Sequence, residues 1–197
     1  MINEHFVLVG AVLNLLGSTG YAKDTLKGTT KPNRVTWFLW ALAPMIAFSA
    51  EIKGGVGLRS LMTFMVGFGP MLVLAASFVN RKAYWKISRL DIACGALSVL
   101  ALILWKITGT GDVAIALSIA ADLLAGVPTV IKSYKEPKSE SYQVFMFGAM
   151  SAAITLLTIK HWTLASAGFP IYIFLICILL FSLIRFPHLH KAFNSQR

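Results

Sequence analysis

Acidic residues are scarce in this sequence, where Asp and Glu number 8 against 18 Lys and Arg in a chain of 197 residues. All charged residues together make up only 13% of the chain, whereas 57% of it is hydrophobic. A soluble domain of this size needs more polar surface to cover its apolar side chains. The composition therefore excludes an ordinary soluble protein, and the mean hydropathy of +0.73 agrees.

The sequence also lacks motifs for metal binding, catalysis or nucleotide binding. The two cysteines, Cys94 and Cys177, lie within apolar runs without the spacing of a metal site, and we interpret them as packing residues. The sequence contains no His-Glu-x-x-His and no Gly-x-Ser-x-Gly, and no glycine-rich stretch is followed by the Lys-Ser/Thr of a phosphate loop. We therefore expect no enzymatic activity, no cofactor and no metal site.

What the chain does have is a series of long apolar runs. A bilayer core of about 30 Å is crossed by about 20 helical residues, and runs of this kind recur along the whole sequence. The run that starts near Phe6 lacks the basic start and cleavage site of a signal peptide, so we expect it to be a mature span. The sequence predicts an all-α membrane protein with seven transmembrane helices, near 6–22, 35–50, 57–79, 90–106, 112–131, 142–159 and 164–184.

The basic residues are distributed unevenly among the loops. Fourteen of the 18 fall after the first, third, fifth and seventh spans: Lys23, Lys27, Lys31, Arg34, Arg81, Lys82, Lys86, Arg89, Lys132, Lys135, Lys138, Arg185, Lys191 and Arg197. The other four are Lys53, Arg59, Lys106 and Lys160. Because Lys and Arg in short loops stay cytoplasmic, we predict a protein of the cell (inner) membrane with its N-terminus outside and its C-terminus in the cytoplasm. Basic loops of this kind do not indicate nucleic-acid binding.

One segment occurs twice. The stretch "LNLLGSTGYAKDTLKG" at Leu13 returns as "ADLLAGVPTVIKSYKE" at Ala121, with Asn14 aligned to Asp122. After a three-residue difference in loop length, Pro32 aligns with Pro137. Both copies end in a basic loop, so they point the same way through the membrane. A three-span unit repeated directly would come out inverted, and the fourth span, which has no partner in either half, restores the orientation, so the sequence predicts a 3+1+3 arrangement.

The predicted units are a first three-helix repeat with its connecting loop at 1–87, a linker helix at 88–110, and a second repeat with a cytoplasmic tail at 111–197. This arrangement resembles the SWEET and PQ-loop transporter superfamily, which is built from parallel repeats. The family's Pro-Gln dipeptide corresponds here to Gly20-Tyr21 and Pro128-Thr129, so only the second repeat keeps the proline. The resemblance implies a carrier that exposes a site between two bundles alternately to each side.

Asp122 is the first candidate for the site. An acid at the centre of a transmembrane helix costs about 2.5 to 3.5 kcal/mol on insertion scales, and such residues usually face the bundle interior or a water-filled path. We interpret Asp122 as a substrate contact or a proton-coupling carboxylate rather than as a structural acid satisfied by a neighbouring helix. For Asn14, its partner in the repeat, substrate binding and interhelical hydrogen bonding remain equally open.

Aromatic residues and a proline complete the candidate set. Trp37 and Trp40 share a helical face and could line the solute path, or belong to an aromatic belt at the membrane interface, which we favour for Trp37. Tyr142 aligns with Trp37 in the second repeat and is a further candidate for substrate binding. Pro128 interrupts the helix of Asp122, and the resemblance implies that it acts as a hinge.

Two functions fit these residues. The first is a facilitator or proton-coupled carrier for a small polar solute, such as a sugar, an amino acid, a nucleoside or a vitamin. The second is a membrane receptor or scaffold that binds a lipid or protein ligand without transport. The sequence leaves open whether protons are coupled and whether the chain forms a homo-oligomer.

Overall fold

Seven α-helices and no strand occur among the residues that the structure, a computed structural model, describes, namely 2–53, 57–80, 82–83, 85–108 and 111–187. The helices are α1 Phe6–Lys27, α2 Arg34–Lys53, α3 Ser60–Val79, α4 Arg89–Thr108, α5 Gly111–Lys135, α6 Tyr142–Thr158 and α7 Leu164–Arg185. Short 3₁₀ turns occupy Gly57–Arg59 and Pro137–Ser139. Arg81, Lys191 and Arg197 of the predicted basic segments, with the rest of the tail after 187, lie outside the described residues.

Each helix coincides with one predicted apolar run. The main difference is that α1 and α5 continue past the predicted ends of their spans to Lys27 and Lys135, because Lys favours the helix and continues it beyond the apolar zone. α1 stops at Gly28, whose φ of 81° lies in the left-handed region that favours glycine. Its backbone N–H donates to the carbonyl of Thr25 over 3.0 Å, which closes the last turn.

Four of the helices contain an internal proline and nevertheless continue past it. Pro44, Pro70, Pro128 and Pro170 lie inside α2, α3, α5 and α7. Each removes one backbone donor and leaves the carbonyl four residues earlier without its usual partner. Membrane helices tolerate this when neighbouring helices supply other donors.

The helices pack in a regular pattern. α3 packs against both α1 and α2, and α7 packs against both α5 and α6. Between these groups, α1 packs along α6 and α2 contacts α5. α4 packs mainly against α5, with a smaller contact to α2.

Four segments of the described residues are long and apolar enough to cross a membrane: Phe6–Lys27, Gly57–Val79, Ala116–Lys135 and Ser166–Arg185. α6 is also apolar but has only 17 residues. The outer surface agrees with a lipid environment, because α4 alone exposes Ile92, Leu97, Ile103 and Ile107. Exposed apolar surface of this extent is unusual in a soluble monomer, so the fold indicates a membrane location.

Candidate functional site

A cavity of about 70 Å³ lies among α1, α2, α3, α5, α6 and α7. Asn14, Trp37, Trp40 and Asp122, four of the residues proposed for substrate binding, all line it. The remaining wall consists mainly of aliphatic and small side chains from α3, α6 and α7. The fold thus brings together residues that lie more than a hundred positions apart in the sequence.

Asp122 is held at one of its two carboxylate oxygens. The residue is only 3% exposed, and the Tyr172 hydroxyl on α7 donates to its Oδ2 over 2.7 Å. Its Oδ1 is also buried but has no hydrogen-bond partner among the described residues. A buried polar oxygen without a partner is costly and uncommon in native proteins. The Oδ1 atom is therefore an unsatisfied acceptor, which a water molecule or a ligand contacts only after the side chains around it shift.

The backbone around Asp122 is held by side chains of neighbouring helices. Trp40 Nε1 on α2 donates to the carbonyl of Asp122 over 3.2 Å. Ser98 Oγ on α4 and Thr36 Oγ1 on α2 donate to the carbonyls of Ala121 and Ala125, over 2.6 and 2.7 Å. These bonds lie in the two turns that precede Pro128. They fix the acid-bearing segment of α5 against α2 and α4.

Asn14 reaches the cavity at a close approach between α1 and α3. Ser18 lies one turn along α1, and its Oγ donates to Asn14 Oδ1 over 3.4 Å. On α3, a Cβ added to Gly69 would lie 2.1 Å from Ser18 Oγ and 3.1 Å from Asn14 Oδ1. Only glycine fits between these atoms, so Gly69 allows α3 to pack directly behind the polar pair.

Four aromatic rings form a continuous row beside the cavity. The ring centroids of Tyr21 and Trp37 lie 4.7 Å apart, those of Trp37 and Trp40 5.6 Å, and those of Trp40 and Phe145 6.4 Å. Trp37 is only 1% exposed, so its interpretation as a residue of the interfacial belt is wrong. The Trp37 ring packs between Tyr21 of α1 and Trp40 of its own helix. Trp40, at 8% exposed, is likewise a core residue that lines the cavity.

Two predicted residues lie away from the cavity wall. We expected Tyr142 to take part in substrate binding, but it is absent from the lining, and its ring packs against Phe181, with centroids 6.0 Å apart, beside the Arg185 guanidinium. Pro128 is buried in α5, about one and a half turns beyond Asp122, and does not line the cavity either. Its expected role as a hinge does not require contact with solute.

A buried polar cluster lies where α1 and α5 end. Lys132 Nζ and Glu140 Oε1 are 2.6 Å apart, and neither side chain has any exposed surface. Tyr21 donates its hydroxyl hydrogen bond to Glu140 Oε2, and Lys132 Nζ also donates to the backbone carbonyl of Lys31. Beside them, the Lys31 N–H donates to the Ser139 carbonyl over 2.9 Å. We call Tyr21, Lys31, Lys132, Ser139 and Glu140 the latch cluster.

Sequence reasoning missed the latch cluster and two further residues of the site. The sequence places Lys132 among the loop cations, whereas the structure buries it within α5. The sequence did contain an indication for Phe145. With the three-residue difference in loop length taken into account, the alignment that pairs Pro32 with Pro137 also pairs Trp40 with Phe145. Tyr172 lies in an apolar run and had no comparable signal.

The described residues contain no group of three or more His, Cys, Asp or Glu side chains that could hold a metal ion. The buried charged side chains of the described residues are instead Asp122 at the cavity, Asp91, which accepts a hydrogen bond from Asn33, and the paired Lys132 and Glu140 of the latch cluster. The chain matches no protein-family model, no curated protein and no solved structure. The geometry of the cavity and of the residues around it is therefore the basis for inferring a function.

Proposed function

We propose that the protein is a membrane carrier that moves a small polar solute through the cavity at Asn14 and Asp122. The observation that carries this proposal is that the aligned polar residues of the two sequence repeats line one cavity. Asn14 lies on α1 and Asp122 on α5, which are the first helices of the two repeats. A polar site between two repeats, near the middle of the bundle, is the arrangement expected for alternating access.

The helix contacts support a 3+1+3 architecture of two parallel bundles. Exchanging α1, α2 and α3 for α5, α6 and α7 maps each of the main contacts between these six helices onto another contact, although the paired contacts differ in extent. The contacts of α3 with α1 and α2 become those of α7 with α5 and α6, and the contact of α1 with α6 becomes that of α5 with α2. α4 has no counterpart and serves as the linker, consistent with bundles at 1–87 and 111–197.

The register of the repeats also agrees with a two-fold relationship. Trp40 and Phe145 are aligned in the two copies, and their rings meet edge to face at 75°. Both line the cavity together with Asn14 and Asp122. Two aligned pairs that converge on one space support a pseudo-two-fold axis through the cavity.

For the membrane arrangement we propose seven crossings, with the N-terminus outside and the C-terminus in the cytoplasm of the cell (inner) membrane. Helices α2, α4 and α6 would then cross the membrane in addition to α1, α3, α5 and α7, whose segments are long and apolar enough to do so by themselves. Lys132 is removed from the count of loop cations because it is buried. The remaining bias of basic residues still places the ends of α1, α3, α5 and α7 on the cytoplasmic side.

This orientation places the latch cluster at the cytoplasmic end of the carrier. The bonds of Tyr21 to Glu140, Lys132 to the Lys31 carbonyl, and Lys31 to the Ser139 carbonyl all join one proposed repeat to the other. The ion pair between Lys132 and Glu140 lies within the second repeat. Rocking of the bundles could therefore break three hydrogen bonds and leave the buried charges paired, which avoids the large cost of an isolated buried charge.

Pro128 is suited to act as the hinge for this motion. It lies between Asp122 and Lys132 on α5, so bending there changes the position of the latch cluster relative to the cavity. Upstream of it, donors from α2 and α4 hold the carbonyls of Ala121, Asp122 and Ala125. The segment before the proline is thus fixed, and the segment after it carries the latch.

Uptake into proteoliposomes tests the proposal. Vesicles with purified protein are supplied with labelled glucose, alanine, uridine, nicotinamide or ethanolammonium, with and without a pH gradient. We expect at least one solute to enter in a saturable manner, and Asp122→Asn to reduce its entry more than Asp24→Asn, a matched acid outside the cavity. Saturable binding of a solute without entry would instead support the alternative of a receptor.

A further inference from the structure

Asp122 is the only charged residue among the described residues that line the cavity. No Lys, Arg or His side chain belongs to this lining. The nearest basic residue further along α5 is Lys132, about 15 Å away at 1.5 Å rise per residue, and it is paired with Glu140. The cavity therefore has an acidic acceptor with no basic residue in its wall.

We propose, on the basis of the carrier function above, that the solute is a small organic cation, namely a protonated primary amine. Its ammonium group donates to Asp122 Oδ1, the buried oxygen that lacks a partner. Tyr172 keeps the other oxygen in place through its 2.7 Å hydrogen bond. The ammonium supplies both the positive charge and the donor that the site lacks, and hydrogen bonds between ionised groups are among the strongest.

The walls of the cavity suit such a cation. Trp40 and Phe145 present aromatic rings to it, and a cation within about 6 Å of a ring centroid is attracted by the negative ring face. Asn14 supplies an amide for a polar group at the other end of the solute. A volume of about 70 Å³ accommodates about five water-sized groups, since one such group needs roughly 10 to 15 Å³. The fitting amine therefore has few non-hydrogen atoms.

A proton competes with this cation. A protonated carboxyl group has no charge to pair with an ammonium, so binding of the amine to Asp122 expels the proton. Tyr172 and Cys177, both on α7, are the titratable residues that interact with Asp122. The parts of α1, α2, α3 and α6 that line the cavity contribute no titratable side chain. One site that holds either a proton or an amine provides a simple basis for exchanging the two across the membrane.

Calorimetric binding to the purified full chain in detergent tests the class of solute. The probes are ethanolammonium chloride, ethylene glycol and sodium glycolate, which have similar sizes but are cationic, neutral and anionic. We expect saturable binding of ethanolammonium alone. Its affinity should fall as the pH is lowered through the titration of Asp122, by up to about tenfold per pH unit, because one proton is displaced.

Two variants assign the binding to the carboxylate. Asp122→Asn keeps the size of the side chain but removes its charge, and we expect it to weaken ethanolammonium binding about tenfold or more. Asp24→Asn should leave the affinity unchanged. If Asp122→Asn does not fold, the competition between proton and amine in the wild-type chain provides the test. The inference is overturned if ethylene glycol binds as well as ethanolammonium, if no probe binds, or if affinity for the cation is independent of pH.

Binding of a cation and transport of a solute are tested by separate measurements. If ethanolammonium binds at Asp122 but no solute enters proteoliposomes, the cation site stands and the carrier proposal is wrong. If a neutral solute is carried while ethanolammonium neither binds nor enters, the carrier stands and the assignment to a cation is wrong.

Discussion

Tyr21 on α1 donates a buried hydrogen bond to Glu140, a residue 119 positions away in the loop before α6. The bond connects the two proposed repeats, whereas the ion pair of Glu140 with Lys132 lies within the second repeat. One carboxylate thus takes part in one contact within a proposed repeat and in one contact between the two repeats. Under the proposed motion, only the contact between the repeats would separate.

Tyr21→Phe should weaken the closed state without disturbing the ion pair. A hydrogen bond to a charged group is worth about 1.5 to 3 kcal/mol, so its loss should raise the open population about tenfold or more. Cys177 lines the cavity and reports this opening. In a Cys94→Ala background, we expect N-ethylmaleimide to react with Cys177 faster in the Tyr21→Phe variant. Tyr142→Phe, which removes a hydroxyl outside the latch cluster, is the control, and equal rates in all three proteins would argue against the latch.

The ion pair itself should respond to substitution in a non-additive way. Lys132→Met leaves Glu140 buried without its cation, and breaking a buried pair in this manner costs about 3 to 5 kcal/mol. The double variant Lys132→Met/Glu140→Gln removes both charges and should recover much of this loss. Denaturation in mixed detergent measures the free energies, with exposed Lys135→Met as the control. Additive losses would show that the two charges are not coupled.

Two glycines provide a test of packing around Asn14. Gly69→Ala places a Cβ 2.1 Å from Ser18 Oγ and 3.0 Å from Ser18 Cβ, so the Ser18 hydroxyl must rotate and α1 and α3 must move slightly apart, at a cost of about 1 to 3 kcal/mol. Gly20→Ala is a matched control, because its nearest contact would be Gln143 Oε1 at 3.9 Å. In a helix, alanine is favoured over glycine by up to about 1 kcal/mol, so Gly20→Ala should be neutral or stabilising. Equal destabilisation by the two changes would contradict the close approach at Gly69.

The proposed orientation predicts which loops are exposed to each side. Lys138 and Lys160 are both exposed but lie at opposite ends of α6. In a cysteine-free background, Lys160→Cys should react with an impermeant maleimide added to intact cells, whereas Lys138→Cys should react only after the cells are opened. The reverse result would invert the topology, and reaction of both residues in intact cells would exclude the crossing of α6.

The sequence predicts much of the fold because helix formation in a membrane depends on local composition. All seven helices match apolar runs, since these runs must satisfy their backbone groups internally. The pairing of Asn14 with Asp122 at one cavity followed from the repeat. The burial of Trp37 and the position of Tyr142 outside the cavity wall could not be predicted from the repeat. Both depend on which helices pack against these residues.

The latch cluster illustrates the same limit for charged residues. Lys132 and Glu140 lie in a basic segment that resembles an ordinary loop, and a local pattern gives no sign that tertiary packing removes both from solvent. The contact of Glu140 with Tyr21 spans most of the chain. The hydrogen bond from Tyr172 to one oxygen of Asp122 likewise depends on tertiary packing, because it forms only when α5 and α7 lie side by side.

Counterflow in proteoliposomes tests the central claim, alternating access at Asp122, most directly. Vesicles are preloaded with the unlabelled panel solute that the wild-type protein takes up fastest, and the labelled solute is added outside. A carrier should accumulate label transiently above its equilibrium level, and this overshoot should be retained in Asp24→Asn and lost in Asp122→Asn. Absence of an overshoot in the wild-type protein, or an equal overshoot in Asp122→Asn, would contradict the account.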